Sequence, residues 1–366
     1  MVRILHLADV HLDAPFAWAE PEVARRCRSA IREAFRTAVH SAAEGGYDAL
    51  TIAGDLYEHD WFTADTGAFL RALFAEVHPL PVLVAPGNHD WFGPASLYRQ
   101  VEWTPNVRVF RERRFERVEI LDGIWVWGAA HLAPAHTPNL LDGVRVDGGG
   151  THLALFHGSE RGGFAFQDEG KVLHAPFEER DVVEAGFRFA LVGHYHRPRV
   201  GDWHAYPGNP CPLSFGEDRV HGALAVSVTD DDVLAEPVAL GAEPWHDFVV
   251  DVSGAASSTE VRDRVGAALA GVRGVARVTV VGELAPTVEL TLADLRGIEH
   301  GLDAYVPRIG RISVSYDIEA LRAEPTVRGQ FVRDVLDAPD LDDEQRRRVL
   351  LTGLRALDGR SDLEVV

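Results

Sequence analysis

The sequence is poor in cysteine and in lysine. Its 366 residues include two cysteines, Cys27 and Cys211, and a single lysine, Lys171. Two thiols are too few for a disulfide framework or for a zinc site built from thiolates. We therefore expect both cysteines to be buried or incidental thiols without a functional role.

Long apolar runs are absent as well. No stretch reaches the roughly 18 uninterrupted apolar residues of a membrane-spanning helix. Residues 1–6 lead directly into a strand and show no signal-peptide pattern. We therefore expect a cytoplasmic protein that makes no membrane contact.

The chain also lacks a surplus of positive charge. The chain has 36 basic and 56 acidic residues, a formal net charge of -20. This argues against a general nucleic-acid coat, because nonspecific affinity for DNA comes largely from cations that neutralise phosphates. Net charge does not describe a single cleft, however, and a metal site itself requires carboxylates. Charge alone therefore leaves the substrate open.

The sequence does contain an alternation of apolar runs and helical patterns. Residues 22–43 and 66–77 carry apolar side chains at helical spacing. From about residue 107 the pattern changes to strands joined by short turns, such as 117–120 and 124–127. We predict an α/β catalytic domain, with mixed parallel and antiparallel strands, over residues 1–243.

Two smaller parts are predicted after this domain. Residues 244–318 form a small α/β module, in which strand patterns flank a helix that begins at a capping box from Ser257 to Glu260. Residues 319–366 form a helical segment with two apolar stripes, Phe331, Val332, Val335 and Leu336 followed by Leu350, Leu354 and Leu357. Such stripes either pack on the protein itself or bind a partner, and the residues alone favour self-packing.

Five polar clusters each follow directly after a short apolar run. The runs are residues 4–7, 49–53, 82–85, 153–156 and 189–192, and the clusters are Asp9-Val10-His11, Gly54-Asp55, Gly87-Asn88-His89-Asp90, His157-Gly158 and Gly193-His194-Tyr195-His196. The runs are typical of buried strands. In a sheet covered by helices, ligands collect beyond the carboxyl ends of the strands. We therefore expect the five clusters to converge on one site.

The residue types in these clusters are those of a two-metal phosphoesterase centre. Two divalent cations roughly 3.5–4 Å apart share a bridging carboxylate, activate a water and clamp the phosphate oxygens during an in-line displacement. Asp55 is the predicted bridge. The residues assigned to the first metal are Asp9, His11, Asp55 and His196, and those assigned to the second are Asp55, Asn88, His157 and His194.

His89 and Asp90 are the predicted catalytic residues. His89 is expected to act as a general acid or to stabilise charge at the leaving oxygen, since imidazole titrates near neutral pH. Asp90 is expected to orient either this histidine or its loop. The glycines before the ligands, Gly54, Gly87 and Gly193, suit tight turns and close backbone approach.

The set of clusters resembles the calcineurin-like metallophosphoesterase superfamily. Within it, the chain is most similar to the SbcD and YhaO group of DNA repair exonucleases, on the segments Asp9-Val10-His11-Leu12-Asp13, Gly54-Asp55-Leu56-Tyr57, Gly87-Asn88-His89-Asp90 and Gly193-His194-Tyr195-His196. The resemblance implies a two-sheet sandwich flanked by helices, with a small α/β capping domain that restricts access of DNA.

The same resemblance implies manganese-dependent nuclease activity on DNA ends. It also implies that the C-terminal helices bind a coiled-coil ATPase of the SbcC or YhaN type, which favours docking over self-packing for their stripes. DNA and this ATPase are therefore the expected partners, and a homodimer stays open. The His and carboxylate donors by themselves also accept zinc, iron or cobalt.

One position departs from that group. Some of its members have a histidine three residues after the bridging aspartate, where this chain has Glu58 followed by His59. Two alternatives to a nuclease stay open: a phosphodiesterase or phosphatase for small substrates, which the acidic charge suggests, and a mainly regulatory subunit of an ATPase complex. Trp61-Phe62 and Trp91-Phe92 either stack nucleobases or pack at the rim of the site.

Overall fold

A computed structural model describes residues 1–162, 173–217, 221–229, 232–241 and 244–358. The chain divides into two compact units, Met1–Pro244 and Trp245–Val366. Residue 243, the predicted end of the catalytic domain, lies outside the described residues, and so do residues 359–366 of the predicted helical segment. Within the described ranges, no helix is long and apolar enough to cross a membrane.

The first unit contains two six-stranded sheets. Its strands are β1 (Val2–Leu7), β2 (Ala49–Ile52), β3 (Val82–Val84), β4 (Val107–Val109), β5 (Glu116–Leu121), β6 (Ile124–Gly128), β7 (Thr151–His157), β8 (Phe189–Gly193), β9 (Arg199–Val200), β10 (His204–Tyr206), β11 (Gly222–Val228) and β12 (Val233–Ala239). Its helices are α1 (Pro21–Glu44), α2 (Ala64–Glu76), α3 (Leu97–Gln100) and α4 (Glu179–Ala185).

The two sheets mix strand directions, as predicted. The first has the order β12-β11-β1-β2-β3-β4 and the second β5-β6-β7-β8-β10-β9. Strands β1 to β4 run parallel, whereas β11 pairs antiparallel with β1 and β12 pairs antiparallel with β11. In the second sheet, β6, β7 and β8 run parallel and β5 is antiparallel. Strands β1, β2, β3, β7 and β8 match the five predicted runs.

Apolar side chains of the two sheets meet in a shared core. Ile4 and Leu83 of the first sheet belong to the same buried cluster as Val126, Leu155 and Leu191 of the second. On the other face of the second sheet, a separate cluster includes Phe156 and Val192 from the strands and Val182 and Ala185 from α4. The expected two-sheet sandwich with flanking helices is therefore confirmed.

Helix α1 shows how local sequence positions these layers. Pro21 occupies the start of the helix, where its fixed φ and missing N–H are tolerated. The buried face includes Cys27, Ile31 and Phe35, which recur at helical spacing. Cys27 and Cys211 are both buried, as expected for the two thiols.

The second unit has a three-stranded parallel sheet. Its elements are β13 (Trp245–Asp251), α5 (Ser258–Leu269), β14 (Val275–Leu284), α6 (Leu292–Arg296), β15 (Ala304–Val314), α7 (Ile318–Ala323), α8 (Val327–Leu336) and α9 (Asp343–Leu357). Ser257 caps α5 by accepting from the Glu260 N–H at 3.2 Å. The Glu260 carboxylate accepts from the Ala256 N–H, so the second hydrogen bond of the predicted capping box lies one residue further upstream.

The predicted apolar stripes of α8 and α9 pack against each other. Val332 and Val335 share one buried cluster with Leu350 and Leu354, and Phe331 packs against it. Leu357 at the end of α9 is 45% exposed. Most of both stripes is therefore occupied within this unit.

The core contact between Gly128 and Phe110 provides a test of the sandwich. A Cβ on Gly128 would lie 2.0 Å from Cδ2 of the fully buried Phe110 ring. We expect Gly128→Ala to reduce the free energy of unfolding by about 1–3 kcal/mol, because an extra methyl in a close-packed core displaces its neighbours. Urea denaturation measures the change. Gly149→Ala is the control, since its added methyl meets no atom within 4 Å; equal midpoints for both variants would contradict this packing.

Candidate metal centre

The five polar clusters meet where the two sheets end. Backbone hydrogen bonds join the segments: the Asp9 N–H donates to the Gly54 carbonyl at 3.1 Å, and the His11 N–H donates to the Asp55 carbonyl at 2.9 Å. The Ala53 N–H, at the end of β2, donates to the Leu7 carbonyl of β1 at 2.8 Å. The loops after neighbouring strands are therefore held in register up to the ligands themselves.

One group of donor atoms surrounds the ring of His157. Its Nδ1 donates to the Ala53 carbonyl at 2.8 Å, which leaves the lone pair on Nε2. This Nε2 lies 3.0 Å from Asn88 Oδ1, 3.2 Å from His194 Nδ1 and 3.3 Å from Asp55 Oδ2. The structure thus brings together the four residues predicted for the second metal.

The residues predicted for the first metal form an adjoining group. Ligand atoms of Asp9, His11 and His196 lie within 4.8 Å of one another, and so do those of Asp9, Asp55 and His157. His11 Nε2 is buried 3.8 Å from Asp55 Oδ2 and has no hydrogen-bond partner among the described residues. An orphaned imidazole nitrogen between carboxylates fits a divalent cation.

Two carboxyl groups at the centre are shielded from solvent. Asp9 is fully buried and Asp55 is 2% exposed. Burial raises the pKa of Asp9. Burial acts in the same direction on Asp55, but the imidazoles around it, His157 first, hold the pKa of Asp55 well below its ordinary value. Buried acids with nitrogen and amide donors beside them form a set that divalent metals bind, and bound cations would activate a water and polarise the phosphate.

Unusual backbone geometry turns these side chains inward. Asp9, His11 and Asp55 have φ between 51° and 53°, in the left-handed region. Such conformations cost of the order of 1–3 kcal/mol for non-glycine residues and persist where the surrounding structure enforces them. Gly54 has φ 80°, and a Cβ on Gly87 would lie 2.3 Å from Asp55 Oδ1. Both glycines are therefore required by the turn and by the close approach of Asp55.

Glu58 connects a predicted ligand with the predicted acid. Its Oε1 accepts from His11 Nδ1 at 2.7 Å and its Oε2 accepts from His89 Nδ1 at 2.9 Å. Because a carboxylate only accepts, both rings donate from Nδ1 and present Nε2 elsewhere. For His11, Nε2 faces Asp55; for His89, the side chain is 44% exposed. Glu58 was not among the predicted site residues, and its position three residues after Asp55 was the available signal.

Asp90 holds the loops rather than the ring of His89. Its carboxylate accepts from the backbone N–H groups of Asp55 at 3.1 Å, Leu56 at 2.8 Å and Gly87 at 2.6 Å, and from the Tyr98 hydroxyl. Of the two roles expected for Asp90, these bonds favour orientation of the loop. Asp90 thus fixes the backbone that carries the bridging carboxylate.

Three further histidines surround the site. His131 Nε2 lies 2.7 Å from the His157 carbonyl oxygen, and its Nδ1 lies 2.9 Å from the Thr137 hydroxyl. The His174 ring lies 5.4 Å from that of His194. His59 stacks on Trp91 with ring centroids 3.7 Å apart, whereas His89 Nδ1 donates to Glu58. None of the five clusters contains these histidines, and sequence reasoning missed His131 and His174.

The Glu58 contacts predict an effect on metal affinity. Glu58→Gln keeps the size of the side chain but supplies one acceptor and one donor where two acceptors are needed. We expect manganese to bind about 10–100-fold more weakly, the range typical of lost hydrogen bonds to metal ligands. Isothermal titration calorimetry with Mn²⁺ alone measures this. Glu76→Gln is the matched control, because Glu76 accepts from the exposed His40 at 3.0 Å. Equal affinity in both variants would refute the role of Glu58.

Comparison with known proteins agrees with this geometry. The chain is 27% identical over 275 residues to the uncharacterized metallophosphoesterase YhaO of Bacillus subtilis (strain 168), a match that covers 70% of this chain and 65% of that protein. It is 26% identical over 293 residues to the DNA double-strand break repair protein Mre11 of Aeropyrum pernix, covering 69% and 64%. For Mre11 of Haloferax volcanii the identity is 27% over 282 residues, covering 72% and 58%.

These matches cover only part of each relative. The chain spans less than two thirds of the length of each of these relatives. The family model of the calcineurin-like phosphoesterases, however, matches residues 2–198, more than half of the chain. That range contains every predicted ligand from Asp9 to His196. The chain therefore belongs to the calcineurin-like phosphoesterase family, whose members use divalent metal ions.

Proposed function

We propose that this protein is a two-metal-dependent DNA nuclease, an exonuclease of DNA repair that hydrolyses phosphodiester bonds with manganese. The observation that supports it is the convergence of seven donor residues, Asp9 and Asp55 among them, from five strand ends. Two of the similar proteins carry names that assign them to repair of DNA double-strand breaks.

His89 supplies the proton in this proposal. Burial lowers the pKa of His89, but the carboxylates of Asp55 and Glu58 outweigh it and raise the pKa to about 10. Glu58 accepts from Nδ1 at 2.9 Å, so the proton on Nε2 is the one available for the leaving oxygen. Asn88 adds an amide oxygen without charge, which limits repulsion of the incoming phosphate.

A phosphodiesterase or phosphatase for small substrates is the second candidate. The net charge of -20 favours it, because a long polyanion is repelled by an acidic surface. The same donor set and the same His89 would serve it. The size of the phosphate ester therefore separates the two candidates.

An assay with manganese and end-labelled DNA tests the first candidate. We expect shortening of the DNA from its ends, and we expect His89→Ala to lower kcat by about 10²–10⁴-fold, the usual contribution of a general acid. Asp55→Ala should abolish activity. His40→Ala, at an exposed histidine, is the control. Undiminished activity in the Asp55 variant would place the reaction elsewhere, and turnover of mononucleotides or phosphoproteins without DNA cleavage would favour the second candidate.

A coiled-coil ATPase of the SbcC or YhaN type is the proposed partner. Support comes from apolar side chains that α8 and α9 leave exposed, namely Val327 at 76%, Val349 at 38% and Leu357 at 45%. These lie outside the cluster that joins the two helices. Partner binding therefore does not require that cluster to open.

Substitution of these exposed residues tests the docking proposal without disturbing the fold. We expect Val327→Asp and Leu357→Asp each to weaken binding of the ATPase at least tenfold. Each substitution removes an apolar side chain from the interface and introduces an unpaired carboxylate there. Surface plasmon resonance measures the affinity, and manganese content should not change. Leu234→Asp on β12, at a site 55% exposed, is the control. If all three variants bind alike, α8 and α9 are not the docking surface.

A further inference from the structure

Two tryptophans lie on the loops around His89 and are not used by the reaction proposed above. Trp61 is 59% exposed and Trp91 is half-buried. The His59 N–H donates to the His89 carbonyl at 2.9 Å and ties the two loops together. Trp61 comes two residues after His59, and Trp91 comes two residues after His89. Both loops therefore start beside the exposed His89 ring.

Trp91 is held in place by a column of rings that begins in the core. Its ring lies 3.7 Å from that of His59, with the planes 25° apart, and the His59 ring is likewise 25° from the plane of Tyr57. Tyr57 is fully buried, and its hydroxyl lies 3.1 Å from Ser96 Oγ. A Cβ on Gly93 would lie 2.8 Å from Trp91 Nε1. The Trp91 ring is therefore fixed at its face and at its edge.

Two arginines lie against Phe92, the residue that follows Trp91. The guanidinium carbons of Arg99 and Arg111 lie 4.5 Å and 5.9 Å from the Phe92 ring centroid. Both arginines are exposed. In a chain with a net charge of -20, these two exposed cations beside the buried Phe92 form a local basic surface that suits the phosphates next to a stacked base.

We infer that Trp61 and Trp91 form a nucleobase subsite beside the metal centre, where a base next to the scissile phosphate stacks. This inference rests on the proposed nuclease function and narrows it, since a phosphoprotein offers no base to stack. Stacking accepts every base, because each has a π face. A ring that is already fixed loses little conformational freedom on binding, which favours affinity.

Kinetics with two oligonucleotides test the subsite. The full chain with manganese is assayed on a single-stranded oligonucleotide and on one of equal length whose terminal three residues are abasic. We expect Trp61→Ala and Trp91→Ala each to raise KM for the base-bearing strand about tenfold, with kcat nearly unchanged. Trp61→Phe and Trp91→Phe should restore KM to within about twofold. On the abasic strand, all of these proteins should share one KM.

Control measurements separate a binding role from a structural one. Leu234→Ala removes an exposed apolar side chain on β12 and should match the wild type on both strands. Thermal unfolding checks each variant; where Trp91→Ala unfolds early, Trp61→Ala and Trp91→Phe carry the comparison. Equal loss on both strands would show that the rings act only structurally and would overturn the inference.

The failure of this inference is distinguishable from failure of the nuclease proposal. If the wild type cleaves both strands with the same KM and the tryptophan variants do the same, the subsite is overturned and the nuclease stands. If the wild type cleaves neither strand with any divalent metal, both proposals fall. A tryptophan variant that loses binding of the ATPase but keeps its KM for DNA would assign the rings to a protein partner instead.

Discussion

The burial of two carboxylates side by side is the constraint on which the rest of this structure depends. Asp9 and Asp55 are shielded from water, and ligand atoms of both lie within 4.8 Å of one His157 nitrogen. Isolated buried charges of like sign are strongly unfavourable unless donors or cations compensate them. The chain supplies donors from its backbone: the His194 N–H donates to Asp9 at 3.0 Å, and the His89 N–H donates to Asp55 at 2.8 Å. The surrounding imidazoles compensate the remaining negative charge. A divalent cation fits beside His11 Nε2, which lies near both carboxylates and has no hydrogen-bond partner among the described residues.

The donors that compensate the two buried carboxyl groups come together because two sheets meet at one end. Neither sheet alone supplies the site, since Asp9, Asp55 and Asn88 follow strands of the first sheet and His157 and His194 come from the second. The shared apolar core fixes the sheets against each other, and left-handed backbone at the ligands turns the side chains toward the gap. Strain at these residues persists where the surrounding structure enforces it, and the strands before them are buried except for the partly exposed Arg3.

Glu58 makes two contacts in this centre that the ligand motifs do not specify. One carboxylate orients both a predicted ligand, His11, and the predicted acid, His89. Its negative charge also raises the pKa of His89, after the stronger effect of Asp55, against the lowering by burial. A histidine at this position could not accept two hydrogen bonds in this way. Glu58 therefore joins the predicted acid to a predicted ligand through two hydrogen bonds.

The sequence by itself determined the strands, the glycines and the donor set, because these depend on local patterns: short apolar runs that end in Gly, Asp, Asn or His. The helices α1 and α2 and the mixed strand directions could be predicted for the same reason. The two sheets were implied by the resemblance, but the tertiary structure alone decided which strand lies in which sheet and in what order. It alone also decided that Asp90 binds the backbone of the Asp55 loop and that His131 supports His157. It also decided that the stripes of α8 and α9 largely cover each other. These features join residues far apart along the chain, and hydrogen bonds or packing across such separations leave no periodic pattern in the sequence.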